Sequence, residues 1–525
     1  IVSAYKLYGD GSCLTNLPGG GGGSGGCLKL VESTNLVSDG MCAGCSLNSG
    51  ATHNILLGCN AGRGIVYITG SYQARQNIMI GCDAGCAVSC GIENIAIGCH
   101  AGYQIGTGDY NIAFGTRAGK GFVNANTNIS IGHAAGGFGA NGGTAGGSCN
   151  ILIGQSTGYQ MTTGNCNIAL GGSALGNQPV TGGCNITLGT YAGYNISSGD
   201  DNIVIGRCSV DCATVTGNDN IALGRNALKC VTSGCNNVAI GGNALQCGLS
   251  TGVHNVAIGQ FAGRKLQNNC NIAIGYYALH GGSGYAGIGY CNIGIGLNAG
   301  CGLKNGHSNL FIGTNAGRTI VGTGSADGSY NIGFGRDALG GQSSAGVSGN
   351  FNAVMGHYSG ARITSGSSNT LVGRASGTNI TSGSENILLG NGAGKCISSG
   401  SRNIVIGKNV ILPSATGNDQ FAIGCCGSSW IVGNSNFNVG IGTTNPEPPV
   451  GVGNTAKLSV GILSAYQLYG DGSNLTGISG GGSGGCLKLV ETTNLVSDGM
   501  CAGCNITTGG ENNIALGCCS GKSLT

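Results

Sequence analysis

Apolar and polar positions follow one short word along most of this chain. "NIAIGCHAG" begins at Asn94 and returns as "NIAFGTRAG" at Asn111. With that Asn as position zero, the word recurs from Asn54 to Asn403. A final unit puts Gln420 in the Asn place, giving 21 units usually 17 or 18 residues apart. Longer steps carry additions between the end of one "AG" and the next Asn. Examples are "RGIVYITGSYQARQ" and "GFGANGGTAGGSC". Self-similarity at this period is the mark of a solenoid rather than of separate globular domains.

The columns of the array predict local structure. Positions one and three are nearly always Ile, Leu, Val, Phe or Met, as a strand burying one face requires. Position two is never charged and never Asn or Gln, so neither face of the strand is built for water. One face packs inside a coil, and the other calls for neighbouring subunits around an axis. Position four is Gly in every unit, from Gly58 to Gly424. Such a Gly suits a corner with positive φ or a close backbone approach. The Asn column suits an amide ladder between stacked coils. The Ala-Gly that follows, as at Ala101 and Gly102, suits a second bend. Several units lack the pair or put Leu or Val in place of its Gly, and a looser corner is expected there. Each coil is expected to hold two short strands and two turns. Coils about 4.8 Å apart would stack into a rod on the order of 100 Å long.

The ends of the chain repeat each other. "SAYKLYGDGSCLTNL" from Ser3 matches "SAYQLYGDGSNLTGI" from Ser464, and "GGCLKLVESTNLVSDGMCAGC" from Gly25 matches a near copy from Gly484. This divides the chain into a junction module at 1–53, a repeat array at 54–435, a second junction at 436–512 and a new array opening at 513–525. Ile1 falls in mid-motif, which reads as a piece of something longer. Gly-rich runs in the junctions read as flexible crossings.

Composition narrows the class. The 111 Gly without a three-residue period, and only 6 Pro, exclude collagen. A net charge of +3 gives no footprint for nucleic acid. No apolar run is long enough for a helical membrane span. Acidic residues are dispersed, so no general acid–base pair is proposed. His100, His133 and the other His residues show no ligand spacing. The 28 Cys are the sharpest chemical feature. Cys59, Cys82 and Cys99 share position five of successive units, and Cys149, Cys166 and Cys184 precede the Asn of three others. Three readings stand for them: small buried filler, which leads, disulfides between coils or subunits, and metal. The "CAGC" pairs Cys42/Cys45 and Cys501/Cys504 read as structural rather than as half a zinc or redox site, even with Cys13 and Cys27 nearby. "GDGS" at Gly9 and Gly470 reads as a turn. No catalytic, cofactor-binding or metal-binding residue is assigned.

The stretch "NVGIGTTNP" and the following "KLSVGILSAYQLYGDGSNLTGI" resemble linker modules of tail-fibre proteins from marine, notably cyanobacterial, phages. The array resembles the repeats of the same proteins. It is also similar to the head repeats of trimeric autotransporter adhesins, which form left-handed parallel β-rolls packed as trimers. Together with the columns, this gives an all-β expectation: a parallel β-solenoid of about 21 coils, trimeric, with short β junction modules at both ends. The resemblance implies a non-enzymatic virion fibre that supports host attachment. Its host receptor is unidentified, its arrays continue head to tail, and it has no nucleic-acid partner and no membrane insertion. The loops near Ile65 to Gln76 and Gly137 to Ser148 are the expected contact points. A bacterial cell-surface adhesin or secreted self-assembling filament is the second reading, and a depolymerase-type enzyme the third.

Overall fold

The computed structural model describes residues 35–47, 50–65, 74–137, 146–212, 214–247, 251–281, 288–320, 328–340, 346–442 and 446, and the backbone of strands at 29–31, 458–460, 488–490, 495–498 and 514–516. It separates into two units, Ile1–Gly461 and Ile462–Thr525. The first unit is a β-solenoid. An antiparallel pair, β1 (Lys29–Val31) and β2 (Leu36–Asp39), leads into twenty three-residue strands, β3 (Ile55–Leu57) to β22 (Ile404–Ile406). From β2 onward these pair in parallel with their chain neighbours. The repeat columns stay in register, as in Ile186 opposite Ile203 and Val204 opposite Ala222. β23 (Phe421–Cys425) continues the parallel stack beyond β22. It turns back into β24 (Ser428–Gly433), followed by β25 (Val439–Ile441) and β26 (Leu458–Val460). The second unit contains β27 (Lys488–Val490), β28 (Leu495–Asp498) and β29 (Ile514–Leu516), with the antiparallel-then-parallel order of β1, β2 and β3. Among the described residues there is no helix. The long additions leave the ladder undisturbed: Ile55 still faces Ile78 across the longest step.

Two columns set the coil geometry. The Gly at position four has φ between 122° and 136° in the units from Gly58 to Gly407, a region that L side chains rarely enter. It also lies against the carbonyl of the same Gly one coil on: a Cβ on Gly241 would sit 2.7 Å from Gly259 O. Gly424 differs, because β23 continues through it as extended chain. The Asn column is buried from Asn54 onward. Asn94 Oδ1 accepts from both the backbone N–H and the Nδ2 of Asn111, at 2.9 and 3.1 Å. Its own Nδ2 donates to Asn77 Oδ1 and to Gly108 O. The ladder ends where Gln420 N–H donates to Asn403 Oδ1 at 2.9 Å.

One side of each coil is strand; the other is turn. Among the described residues the expected second strand does not form, and isolated bridges such as Val88 with Gly106 appear there instead. Left-handed residues at position six, including Asp83, His100 and Arg117, carry the chain round this side. Their N–H groups still donate to the preceding coil (His100 to Cys82 O at 2.8 Å), which offsets the conformational cost. The corner after the Ala is also not looser where Leu or Val replaces Gly. Leu175, Leu228, Leu245, Leu279, Leu339 and Val210 adopt φ between 43° and 54°, like the Gly they replace. Their side chains are buried in the core.

The interior is filled by three columns. Position two supplies residues such as Ala96, Leu152 and Val204, and position seven supplies Ala, as at Ala101 and Ala118. Position eleven supplies large apolar groups such as Ile105, Phe122 and Ile196. In most units with Leu or Val at position eight, position eleven is Gly, Gln or Ala, so one large side chain replaces the other. Volume also balances between coils. Phe311 at position two lies between Gly294 and Gly333 in the same column, and a Cβ on Gly333 would already touch its ring at 3.3 Å.

Two substitutions test this geometry. Gly241→Ala is expected to cost about 3 kcal/mol of local stability, whereas Gly242→Ala is silent, since its Cβ would meet nothing nearer than 4.0 Å. Asn237→Ala leaves the Asn255 N–H and the Gly252 carbonyl buried without their partners, and is expected to cost about 3 kcal/mol. Hydrogen exchange of the coils between Asn220 and Asn271 reads both effects, with distant coils unchanged.

Candidate assembly face

The sequence calls for cover on both faces of the strand; within the single chain it is position two that points inward. The side chains at one and three stand on the outside of the solenoid, giving the recurring pattern of half-buried, buried, half-buried or exposed. Phe114 is 52% exposed, Phe334 49%, and Ile404 and Ile406 42% and 38%. Along these two columns only Ala353 and Thr370 depart from large apolar residues, and no charge interrupts them. In-register pairing places each Ile beside the next at the coil spacing of about 4.8 Å. The result is a double apolar ridge along the solenoid. At roughly 90 Å² of exposed apolar surface per coil, it exceeds by several-fold the few hundred Å² usual for the largest patch on a monomer.

The other chemical features of the sequence lie on turns and corners. All 21 described Cys are free, and only Cys86 and Cys90 are buried. Filler is therefore not the role of the Cys columns, which run along the outside of the corners. Cys59, Cys82 and Cys99 do stack, as do Cys149, Cys166 and Cys184. Cys212, Cys230 and Cys247 form a further column, ten residues after the Asn of three successive units. Among the described residues no group of three His, Cys, Asp or Glu is placed to hold a metal. Cys42 and Cys45 are both exposed. Cys13, Cys27, Cys501, Cys504 and both "GDGS" turns lie outside the described residues, as do most of the two loops expected to make contacts. His100 packs near Asp83 at 3.5 Å, and His133 stands exposed on another coil. Aromatic rings also stack between coils: Tyr290 on His307, and Tyr330 on Phe351 with centroids 5.0 Å apart.

No family model matches the chain, and no curated protein is significantly similar to it.

One thiol has a defined electrostatic environment. Cys82 Sγ donates to Asp83 Oδ2 at 3.5 Å. That hydrogen bond, with some desolvation and the negative charge of Asp83, pushes the thiol up to about 11. The carboxylate favours the protonated thiol, so neutralising it eases ionisation. Asp83→Asn is expected to shift the pH midpoint of Cys82 alkylation by iodoacetamide downward, toward the ordinary cysteine range. Peptide mass mapping across a pH series checks it; an unmoved midpoint refutes the assignment.

Proposed function

We propose that this chain is the shaft of a non-enzymatic structural fibre, a phage tail or side fibre that supports host attachment, built from three copies packed on their apolar ridges. The outer columns carry this reading. An occupant of the ridge must be apolar and must keep the coil spacing over about twenty coils, on the order of 100 Å. A second copy of the same solenoid meets both demands, and rotation about an axis parallel to the stack closes the set. Covering the ridge is worth about 2 kcal/mol per coil, gross, at roughly 25 cal/mol per Å². Summed over the array, this outweighs the cost of association. The fibre acts mechanically, by holding recognition elements at a distance from the particle.

A cell-surface adhesin or self-assembling extracellular filament is the second reading. It is favoured by one observation: β27, β28 and β29 restart the topology of β1, β2 and β3, as head-to-tail continuation requires.

Sedimentation of the purified protein is expected to give three times the 51.4 kDa chain mass. A triple variant, Ile203→Glu with Ile272→Glu and Ile404→Glu, is expected to sediment as single folded chains, because those side chains face outward. Wild-type protein that sediments as a monomer overturns the shaft. Electron microscopy of native particles separates the two readings: a rod on a capsid or tail supports the first, and a rod on a cell surface or free in the medium supports the second.

A further inference from the structure

We infer that the solenoid carries an oxyanion-binding site on its turn side, formed by Arg117, Lys120 and His133 with Ser156 and Tyr159. These residues line a cavity of about 180 Å³ spanning three successive coils, those that open at Asn111, Asn128 and Asn150. The repeat explains the cavity. The outer coils place Arg117 and Ser156 at position six and Lys120 and Tyr159 at position nine. The middle coil places Ala134 and Gly137 there, so two side chains are missing between their neighbours. The notch that results is walled by donors, with His133 from the middle coil at its edge.

Its charge is one-sided. Between Asp109 and Asp200 the sequence has no acidic residue, and its only Arg, Lys and His residues are the three that line this notch. Four basic groups on other coils do meet a carboxylate: Lys229 with Asp211 at 3.8 Å, Arg336 with Asp337 at 3.2 Å, Arg402 with Asp419 at 2.6 Å, and His100 with Asp83 at 3.5 Å. Among the described residues no such pair forms at Arg117, Lys120 or His133. Lys120 Nζ lies over the Tyr103 ring, 5.8 Å from its centroid. A guanidinium fork, an ammonium, an imidazole and two hydroxyls around a compact cavity match the oxygens of a sulfate or phosphate group. Two sources of such a group, a free ion and an ester on a polysaccharide, are separated by the test below. The site lies on the corners, apart from the apolar ridge, and does not depend on the fibre reading.

Isothermal titration calorimetry of the purified chain tests it, using sodium sulfate, sodium phosphate, and a sulfated disaccharide beside its unsulfated parent. Saturable binding of at least one anionic probe is expected at low ionic strength. The double variant Arg117→Gln/Lys120→Gln is expected to weaken it roughly tenfold or more. Arg225→Gln, far along the stack, is expected to leave it unchanged. Equal binding of the inorganic ions and the sulfated sugar assigns the site to free anions; tighter binding of the sulfated sugar assigns it to an esterified glycan. No saturable binding, or binding that survives the double variant, overturns the inference. These side chains are exposed or half-exposed, so the variants are expected to fold, and circular dichroism confirms it.

Discussion

Hydrogen bonds directed along the solenoid axis are the constraint on which the rest of this molecule depends. Every coil passes its N–H and C=O groups to the coils on either side, through the three-residue strands and through the left-handed turns opposite them. The buried Asn column finishes this pairing at the strand entrance, where its side-chain carbonyl satisfies a main-chain N–H of the next coil. Without it, each coil would bury an orphan donor. The same closeness dictates the Gly at position four, since a Cβ there would strike the backbone of its neighbour. Asn and Gly are thus two consequences of one spacing.

A strand of three residues has only one inward position, so the division of labour in each coil is severe. The inward residue is often Ala or Gly, and bulk is supplied from positions eight or eleven across the thin core. The two outward residues lie beside their own column neighbours on the outside of the coil, yet they are the most uniformly apolar columns in the chain. Core stability does not require large Ile side chains there. An occupant with the same repeat would account for their uniformity, which is why a multi-chain shaft is proposed.

The array, its parallel stacking and its Asn ladder were legible in the sequence because they depend on residue identity at fixed spacing. The direction of the strand faces was not: "Ile-Ala-Ile" alternates equally well either way, and only the core columns decide it. Position eleven held the missing signal, since Ile65, Ile105, Ile196 and Ile397 recur there, but the shifting residues around them hid it. The left-handed turn at position six has no signature in residue type either. Its occupants include Arg117, Tyr191 and Phe261, which are not turn formers, and the inter-coil hydrogen bonds override their preference. Leu228 and its equivalents looked like defects in a Gly corner; they keep its backbone while moving bulk into the core. The notch at Arg117 depends on two small residues a coil away from the charges, a relation visible only after the coils are stacked.

The axial direction of the bonding has a consequence under tension. A pull along the stack loads the seams between coils in series, so the weakest terminal seam opens while the others hold. Each coil that peels away frees 17 or 18 residues, on the order of 60 Å of extended chain. A few sacrificed coils would therefore absorb a large displacement, and the same seams could re-form once the load is gone.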